Sequence, residues 1–306
     1  MIENFSQLKE LAYSCSRSRL AVAAAAEKEV LKAVYSAYQE GLIDPVLIGT
    51  KNKIIKYAAE VGFEANNFEL IDTANKQKAC EKAVKLVAKG DCHILMKGIV
   101  DTSQIMKEVL SEDYGLTSNR LISHIAMIES TILNRIIFVT DGGMNIKPDL
   151  GKKKQIIENA VKVAHLLGYD MPKVAVLAAV EKVNQHMRET TEAAALAKMS
   201  ERGQIEGAVV DGPLALDNAL SEEAAQIKGI KSDVAGKADI LLVPEIVSGN
   251  LLGKSPVYLA GDDIATIIGG TTQPVVLTSR ANTAKIKLIS IAAAVVMADK
   301  KGIVNN

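Results

Sequence analysis

The 306-residue chain contains no tryptophan, and aromatic residues make up only 4% of it. Its three cysteines have no CxxC spacing, which argues against a disulfide framework or zinc site and favours reduced thiols in the cytoplasm. The formal net charge is +0, so no broad basic field attracts nucleic acid or an anionic membrane. We see no membrane-spanning run and no signal-peptide pattern. The four histidines lack ligand spacing, so we expect no resident metal.

Short apolar runs alternate with amphipathic segments of helix length along the chain. This alternation predicts an α/β fold with a largely parallel sheet covered on both faces. The predicted strands are residues 20–25, 45–49, 93–97, 135–140, 173–178, 205–210, 240–243 and 274–278.

Chain length favours two domains. We expect a closing helix from about residue 283 to 300 to return to the first domain. The predicted domains are therefore 1–134 with 283–306, which is discontinuous, and 135–282.

The predicted strand 274–278 ends in Ser279 and Arg280. Parallel sheets place their ligands at the carboxyl ends of strands, and the arginine fork suits phosphate or carboxylate. This pattern predicts an oxyanion site. The alternative, a helix N-cap followed by a solvated charge, stays open at this point.

Two further predicted strands end in polar turns. Asp141 opens a Gly-rich turn that runs to Asn145, and Asp211-Gly212-Pro213 follows the strand 205–210. Asp-Gly is also ordinary turn chemistry, so a structural role remains an alternative for each. Two such turns in one sheet nevertheless favour a shared cleft.

Three other polar residues, Thr102, Lys107 and His124, need a separate interpretation. Thr102 is predicted to cap the helix that follows Lys97-Gly98, and Lys107 is either a phosphate contact or a solvated face residue. His124 lies in an apolar run and is by itself typical of a core histidine.

Residues 248–255, SGNLLGKS, nearly match the P-loop pattern GxxxxGK[ST]. In a true P-loop the first glycine lets the backbone curl around phosphates, and Ser248 stands at that position here. We therefore interpret this segment as a false match for a nucleotide site.

Taken together, these residues resemble the phosphate acetyl/butyryltransferase family, and more closely its phosphate butyryltransferase branch. The resemblance covers nearly the whole chain, and its order and spacing are more specific than any single motif. Its carriers are Lys97-Gly98 with the Thr102 region, residues 140–145 with Pro148, residues 181–184, residues 211–214, Val243-Pro244 with Gly249-Asn250, and residues 278–280.

The resemblance implies a two-domain α/β subunit of the type shared with isocitrate and isopropylmalate dehydrogenases. It implies an active site in the interdomain cleft and a homodimer or higher homo-oligomer. The implied reaction converts acyl-CoA and phosphate to acyl phosphate and CoA, with butyryl favoured over acetyl. It uses CoA as a substrate, no permanently bound cofactor, and a ternary complex without an acyl-enzyme.

The family likeness also suggests roles for individual residues. The implied catalytic residues are Ser279, Arg280, Asp141 and His124, and the implied substrate-binding residues are Lys107, Thr102, Asn145, Asn250, Asn282 and Asp211. Gly249-Asn250 is expected in a turn that leads into a helix.

The proton acceptor for the CoA thiol is left open by the sequence. Acetyl-specific relatives carry an acid seven positions after the serine, where this chain has Ile286. A thiol with a pKa of about 8.5 needs a base at neutral pH, and His124, Asp141 and Asp211 are the candidates.

Three alternative functions are a phosphate acetyltransferase, a non-catalytic CoA- or nucleotide-binding module, and a dehydrogenase of the shared fold. The last should show clustered metal-binding aspartates, which we do not find in the sequence.

Overall fold

The structure is a computed structural model that describes residues 1–117 and 120–304. The chain divides into two compact units. The central unit comprises Met1–Asn4 and Leu121–Ile264, and the flanking unit comprises Phe5–Arg120 and Ala265–Asn306. The domain borders expected from the sequence, after residues 134 and 282, lie further along the chain than these unit borders. The expected borders of the two domains stay a prediction.

Strands and helices alternate through the described part of the chain. The strands are β1 (Ser18–Ala23), β2 (Ile43–Gly49), β3 (Glu69–Asp72), β4 (Ile94–Lys97), β5 (Ser123–Ser130), β6 (Arg135–Thr140), β7 (Lys173–Leu177), β8 (Val209–Leu214), β9 (Ile240–Leu242), β10 (Asp263–Gly269) and β11 (Val275–Val276). The α-helices are α1 (Phe5–Tyr13), α2 (Lys28–Gln39), α3 (Lys51–Glu60), α4 (Lys76–Ala88), α5 (Thr102–Val109), α6 (Leu150–Leu166), α7 (Arg188–Glu201), α8 (Leu216–Leu220), α9 (Glu222–Ile227), α10 (Ile246–Ser255) and α11 (Ala284–Lys300). Short 3₁₀ turns span Ala65–Asn67 and Glu112–Tyr114, and a π-helical segment spans Pro256–Ala260.

The sheet of the flanking unit has the strand order β3-β2-β1-β4-β11-β10. Every neighbouring pair in it is parallel except β10 with β11. All four side chains of β4 are buried, which explains why this strand reads as an uninterrupted apolar run. Helix α11 supplies much of the core, and its Ile286, Ile289, Ala293 and Met297 side chains are buried.

The sheet of the central unit has the order β5-β6-β9-β7-β8. Strands β6, β9, β7 and β8 are parallel, and β5 pairs antiparallel with β6. The α/β class with mostly parallel sheets that the sequence predicts is therefore confirmed in both units.

Strand β8 corrects one detail of the sequence analysis. The strand predicted at 205–210 lies later, at Val209–Leu214, so that Asp211-Gly212-Pro213 is part of the strand and does not form a turn after it. Its pairing with β7 is irregular between Ala175 and Leu177. Because β8 is an edge strand, it tolerates a proline, which has no N–H to donate.

Among residues 1–117 and 120–304, no helix has the length and apolarity that crossing a bilayer requires. The same residues contain no group of three His, Cys, Asp or Glu side chains that could hold a metal ion.

Candidate functional site

In the flanking unit, polar chemistry gathers at the carboxyl edge of the sheet. Strands β1, β4 and β11 are parallel, so their carboxyl ends meet at one edge. Lys97 is the last residue of β4, while Ser279 and Arg280 follow β11 and are exposed. The structure thus places the pair where the sequence predicts it.

Local hydrogen bonds hold the segment from Ser279 to Asn282 in a tight turn. Asn282 Oδ1 accepts from the Ser279 amide at 2.6 Å, and the Asn282 amide donates to the Ser279 carbonyl at 3.2 Å. The Ser279 hydroxyl oxygen accepts from the Ala281 amide at 3.3 Å. Its hydrogen has no acceptor among the described residues, so it can donate to a ligand. Asn282 therefore shapes this turn.

Arg280 is held by one ion pair. Its Nη2 lies 3.2 Å from Asp101 Oδ1, and the two side chains are 61% and 60% exposed. Exposed pairs of this kind stabilise by only about 0–1 kcal/mol, so an anion can share or displace the carboxylate. Arg280 keeps further guanidinium donors for such an anion.

The start of α5 differs from the expectation. Asp101, not Thr102, occupies the N-cap position, and its side chain makes no capping hydrogen bond. The carboxylate instead contacts Arg280. Thr102 is the first residue within the helix.

Lys107 lies in the last turn of the same helix and is exposed. It lies five positions after Thr102, which places the two residues about 140° apart around the helix and about 7.5 Å apart along it. Within the described residues, Lys107 makes no ion pair or side-chain hydrogen bond. The structure does not bring it together with Arg280, and its role as a phosphate contact stays a prediction.

Two buried lysines flank the Ser279-Arg280 segment. Lys97 is 3% exposed and Lys287 is 2% exposed. Burial lowers the pKa of Lys97 to about 8, and the charges of Arg280 and Lys287 act in the same direction. Burial also lowers the pKa of Lys287, whose ammonium donates to the Asn282 carbonyl. Lys287 escaped the sequence analysis because a lysine near the start of a helix is usually a solvated surface residue.

Ile286 is buried, and its amide donates to the Thr283 hydroxyl at 3.4 Å. The position at which acetyl-specific relatives are expected to carry an acid is therefore a core position in this chain. No proton acceptor arises there.

In the central unit, the turn after β6 is organised by Asp141. The carboxylate is 2% exposed and accepts from the amides of Gly143, Met144 and Asn145 at 2.8, 2.9 and 3.1 Å. Asn145 Nδ2 donates to the same carboxylate at 2.6 Å and to the Ile122 carbonyl at 2.9 Å. Asp141 and Asn145 thus act first as a fixed hydrogen-bonded frame.

His124, the second residue of β5, packs directly against this turn. A Cβ added at Gly143 would lie 3.0 Å from His124 Cγ, so only glycine lets the turn approach the imidazole this closely. His124 Nδ1 is buried and has no hydrogen-bond partner among the described residues. Burial lowers the pKa of His124 and the charge of Asp141 opposes this, so the ring is neutral at neutral pH.

Helix α10 contacts the same turn through Gly249 and Asn250. A Cβ on Gly142 would lie 2.7 Å from the Gly249 carbonyl, and Asn250 Nδ2 donates to the Gly142 carbonyl at 3.2 Å. Both residues lie inside the helix, which begins at Ile246, so the expectation of a helix-leading turn is corrected. Glu245 starts the helix by accepting from the amides of Val247 and Ser248, each at 2.8 Å.

The near P-loop also lies within α10. Its amides therefore belong to a helix and do not form the curled loop that cradles phosphates. This geometry agrees with our interpretation of the motif as a false match.

Asp211 is not part of this cluster. It lies in β8, three strands away from β6 in the order β6-β9-β7-β8, which is about 14 Å at the usual strand spacing. Its carboxylate accepts from the Gly212 amide at 2.8 Å. The structure thus brings together His124, Asp141, Asn145 and Asn250 but leaves Asp211 apart.

Comparisons with known proteins give consistent results. The family model described as "Phosphate acetyl/butaryl transferase" matches residues 5–85 and 73–295. A phosphate butyryltransferase of Clostridium acetobutylicum is 44% identical over 301 residues, which cover 98% of this chain and 100% of that protein. A phosphate acetyltransferase of Thermotoga maritima is 46% identical over 280 residues, which cover 92% and 95%. The crystal structure of a branched-chain phosphotransacylase from Enterococcus faecalis V583 matches with a TM-score of 0.81 at 33% identity, covering 92% of this chain and 99% of that one.

Proposed function

Because the chain belongs to the phosphate acetyl/butyryltransferase family, we propose that it transfers a short acyl group reversibly between CoA and inorganic phosphate. Acyl-CoA and phosphate give acyl phosphate and CoA. In the reverse direction the CoA thiolate attacks the acyl carbon of the acyl phosphate, and phosphate leaves.

The observation that carries this proposal is the position of Ser279-Arg280 at the carboxyl edge shared by β1, β4 and β11. Arg280 binds the phosphate group, since its planar fork can donate two parallel hydrogen bonds to phosphate oxygens. Its exposed and weak ion pair with Asp101 orients the guanidinium without blocking it.

Ser279 stabilises the oxyanion of the tetrahedral intermediate. Its hydroxyl oxygen is already fixed by the Ala281 amide, which leaves the hydroxyl hydrogen for the reacting carbonyl oxygen. A donor that is oriented before the reaction costs little reorganisation when charge develops. Ser279 therefore acts without forming an acyl-enzyme.

Among the three candidates for proton acceptor, the contacts favour His124. A neutral imidazole carries a lone pair on one ring nitrogen, and no hydrogen bond to the buried Nδ1 fixes which one, whereas the Asp141 carboxylate is occupied by four donors. We assign Asp141 and Asn145 to positioning this region. Asp211 has no contact that links it to His124 in the described part of the chain.

The finer points of the proposal rest on the relatives and on composition. Relatives include both butyryl- and acetyltransferases, and we propose butyryl as the preferred group. We also propose that CoA acts as a substrate with no bound cofactor, that the enzyme forms a homodimer or larger homo-oligomer, and that it acts in the cytoplasm.

Thiol release from butyryl-CoA tests the function directly. We expect phosphate-dependent release, followed with a thiol reagent, in buffer without metal or nucleotide. A panel of acetyl-, butyryl- and hexanoyl-CoA should give the highest kcat/KM for butyryl. No release, or release that requires a nucleotide, would contradict the proposal.

The pH profile tests the role of His124. Because the base must be neutral to take the proton of the CoA thiol, the rate of acyl-CoA formation from acyl phosphate and CoA should fall as the pH drops through the pKa of His124, which lies below the ordinary value of about 6.5. We expect the acidic limb to vanish in His124→Gln. His93→Gln is the matched control, since burial lowers the pKa of His93 as well and its Nδ1 accepts from the Arg19 amide. An unchanged limb in His124→Gln would assign the base elsewhere.

A further inference from the structure

Lys97 is a buried cation for which the proposed mechanism gives no use. It is 3% exposed, and within the described residues no ion pair joins it to a carboxylate. Its Nζ donates to the Val100 carbonyl at 3.3 Å and lies 3.5 Å from the Gly98 carbonyl. An ammonium buried without a carboxylate partner is costly, so its retention calls for a physical reason.

The loop that follows Lys97 is fixed tightly to the end of β1. The amides of Gly98 and Ile99 donate to the carbonyls of Ala23 and Ala24 at 2.8 and 2.9 Å. A Cβ at Gly98 would lie 2.3 Å from the Ala24 carbonyl oxygen. Ala24 itself has a φ of 56°, in the left-handed region that residues other than glycine seldom adopt. The backbone is thus held in one arrangement at some conformational cost.

The same loop ends at the residue that holds Arg280. Val100 accepts from Lys97, and the next residue, Asp101, forms the ion pair with Arg280. The carboxylate of Asp101 makes no capping bond to its own helix, so its orientation follows from the loop and from Arg280.

We propose that Lys97 is a positioning residue for phosphate: its ammonium fixes the Val100 carbonyl, and through it the Asp101 carboxylate that orients the Arg280 guanidinium. This inference rests on the proposed function, since it takes Arg280 as the phosphate-binding group. It assigns to Lys97 no contact with the reacting atoms.

The charge of Lys97 makes this role dependent on pH. Burial, Arg280 and Lys287 lower the pKa of its amine to about 8, against the opposing influence of Asp101 and Cys80. The ammonium is therefore present below about pH 8 and is lost above it. As the amine loses its charge, its hydrogen bond to Val100 weakens, and phosphate binding should weaken with it.

Lys97→Met tests the inference by removing the charge and keeping much of the side-chain volume. We expect the KM for phosphate to rise about fivefold at pH 7, equivalent to ~1 kcal/mol, because the effect passes through the exposed pair of Asp101 and Arg280, with a smaller change in kcat. The ratio of variant to parent KM should fall towards one by pH 9.5. Lys97→Gln keeps a donor for Val100 and should restore part of the loss without the pH dependence. If Lys97→Met fails to fold, Lys97→Gln carries the test.

Lys153→Met is the matched control, because Lys153 is also 3% exposed but pairs with Glu192 in the central unit. It should lose stability and leave the KM for phosphate unchanged. Asp101→Asn should raise the KM as Lys97→Met does, and the double variant should show no further rise, because both act through Arg280. Additive effects, or a KM within about twofold of the parent in Lys97→Met, would overturn the inference. If only Lys97→Gln folds, a ratio of variant to parent KM that does not change between pH 7 and pH 9.5 would overturn it.

Direct binding separates this inference from the proposed function. Inorganic phosphate binding by the parent and Lys97→Met can be compared by calorimetry without any acyl substrate. A protein that transfers no acyl group, but whose phosphate binding weakens in Lys97→Met, would contradict the function and support the positioning role. If the parent and Lys97→Met both transfer acyl groups and bind phosphate equally well, the proposed function holds and the positioning role of Lys97 is contradicted.

Discussion

The turn at Asp141 in the central unit and the turn at Ser279-Arg280 in the flanking unit differ in burial and in how their charged side chains are bonded. The first is buried, and its carboxylate accepts hydrogen bonds from within the turn itself. The second is exposed, and its arginine has a single weak partner. A satisfied and buried group contributes mainly to stability, whereas an exposed donor is available to a ligand.

The difference shows that two turns with similar sequence patterns can have different roles. Both turns follow a strand and contain an ionisable residue, yet only at Arg280 is the charge accessible. Substitutions in the flanking turn should therefore alter kinetics with little change in stability, and substitutions at Asp141 should do the opposite.

The largest kinetic effect is expected at Ser279. Ser279→Ala should lower kcat roughly 10- to 1000-fold, the range for loss of one oxyanion donor, and leave CoA binding largely intact. Initial rates at varied acyl-CoA and phosphate should give intersecting lines, as a ternary complex requires. Parallel lines, or an acyl group found on Ser279 by mass spectrometry, would make this residue a nucleophile.

The next effect is on stability and concerns Asp141. Asp141→Asn turns one acceptor oxygen into a donor that faces backbone amides, so the free energy of unfolding should fall by about 3 kcal/mol. Urea denaturation measures this loss. Asp211→Asn is the control, because within the described residues the Asp211 carboxylate accepts only from the Gly212 amide, and the substitution should change stability by less than about 0.5 kcal/mol. Similar losses in both variants would remove the distinction between the two turns.

Arg280→Lys keeps the charge and removes the fork. We expect kcat/KM for phosphate to fall about 30-fold, equivalent to ~2 kcal/mol, because an ammonium cannot make two parallel hydrogen bonds to phosphate. Unfolding in urea should be unchanged within about 0.5 kcal/mol, since the ion pair with Asp101 is exposed. A change in kcat/KM of less than about threefold would mean that Arg280 does not bind phosphate.

The smallest effect is expected at Lys254, in the last turn of α10. Lys254→Ala should leave acyl transfer unchanged and reduce stability by no more than about 0.5 kcal/mol, through loss of a favourable charge at the helix C-terminus. Equilibrium dialysis with ATP provides the check. Tight ATP binding that disappears in this variant would revive the nucleotide-binding alternative.

The sheet was largely predictable because buried parallel strands appear as uninterrupted apolar runs. Strand β6 was predicted to the residue, and β4 and β7 to within one residue at either end. The sequence analysis missed β3, β5 and β10. Strand β5 is antiparallel to its neighbour, and β3 is a short edge strand with exposed ends, so neither fits the alternation that guided the prediction.

Two signals in the candidate site were misjudged for identifiable reasons. Asp-Gly is common turn chemistry, so Asp211 was assigned to a turn, whereas the segment lies in an edge strand, which also accommodates Pro213. Glycine and serine in 248–255 suggested a loop, and the capping signal of Glu245 was not recognised. The burial of Lys97 and the ion pair between Asp101 and Arg280 depend on distant segments, which no local pattern reports.

The flanking unit consists of two segments of chain, and this has a consequence for biosynthesis. Strand β11, the neighbour of β4, is made only after the whole central segment has left the ribosome. Until then β4 has an unpaired edge with buried-type apolar side chains, the kind of edge that recruits other strands. A nascent chain that stalls before residue 265 therefore exposes an aggregation-prone strand, and the turn at Ser279-Arg280 is completed only after the central segment has been made.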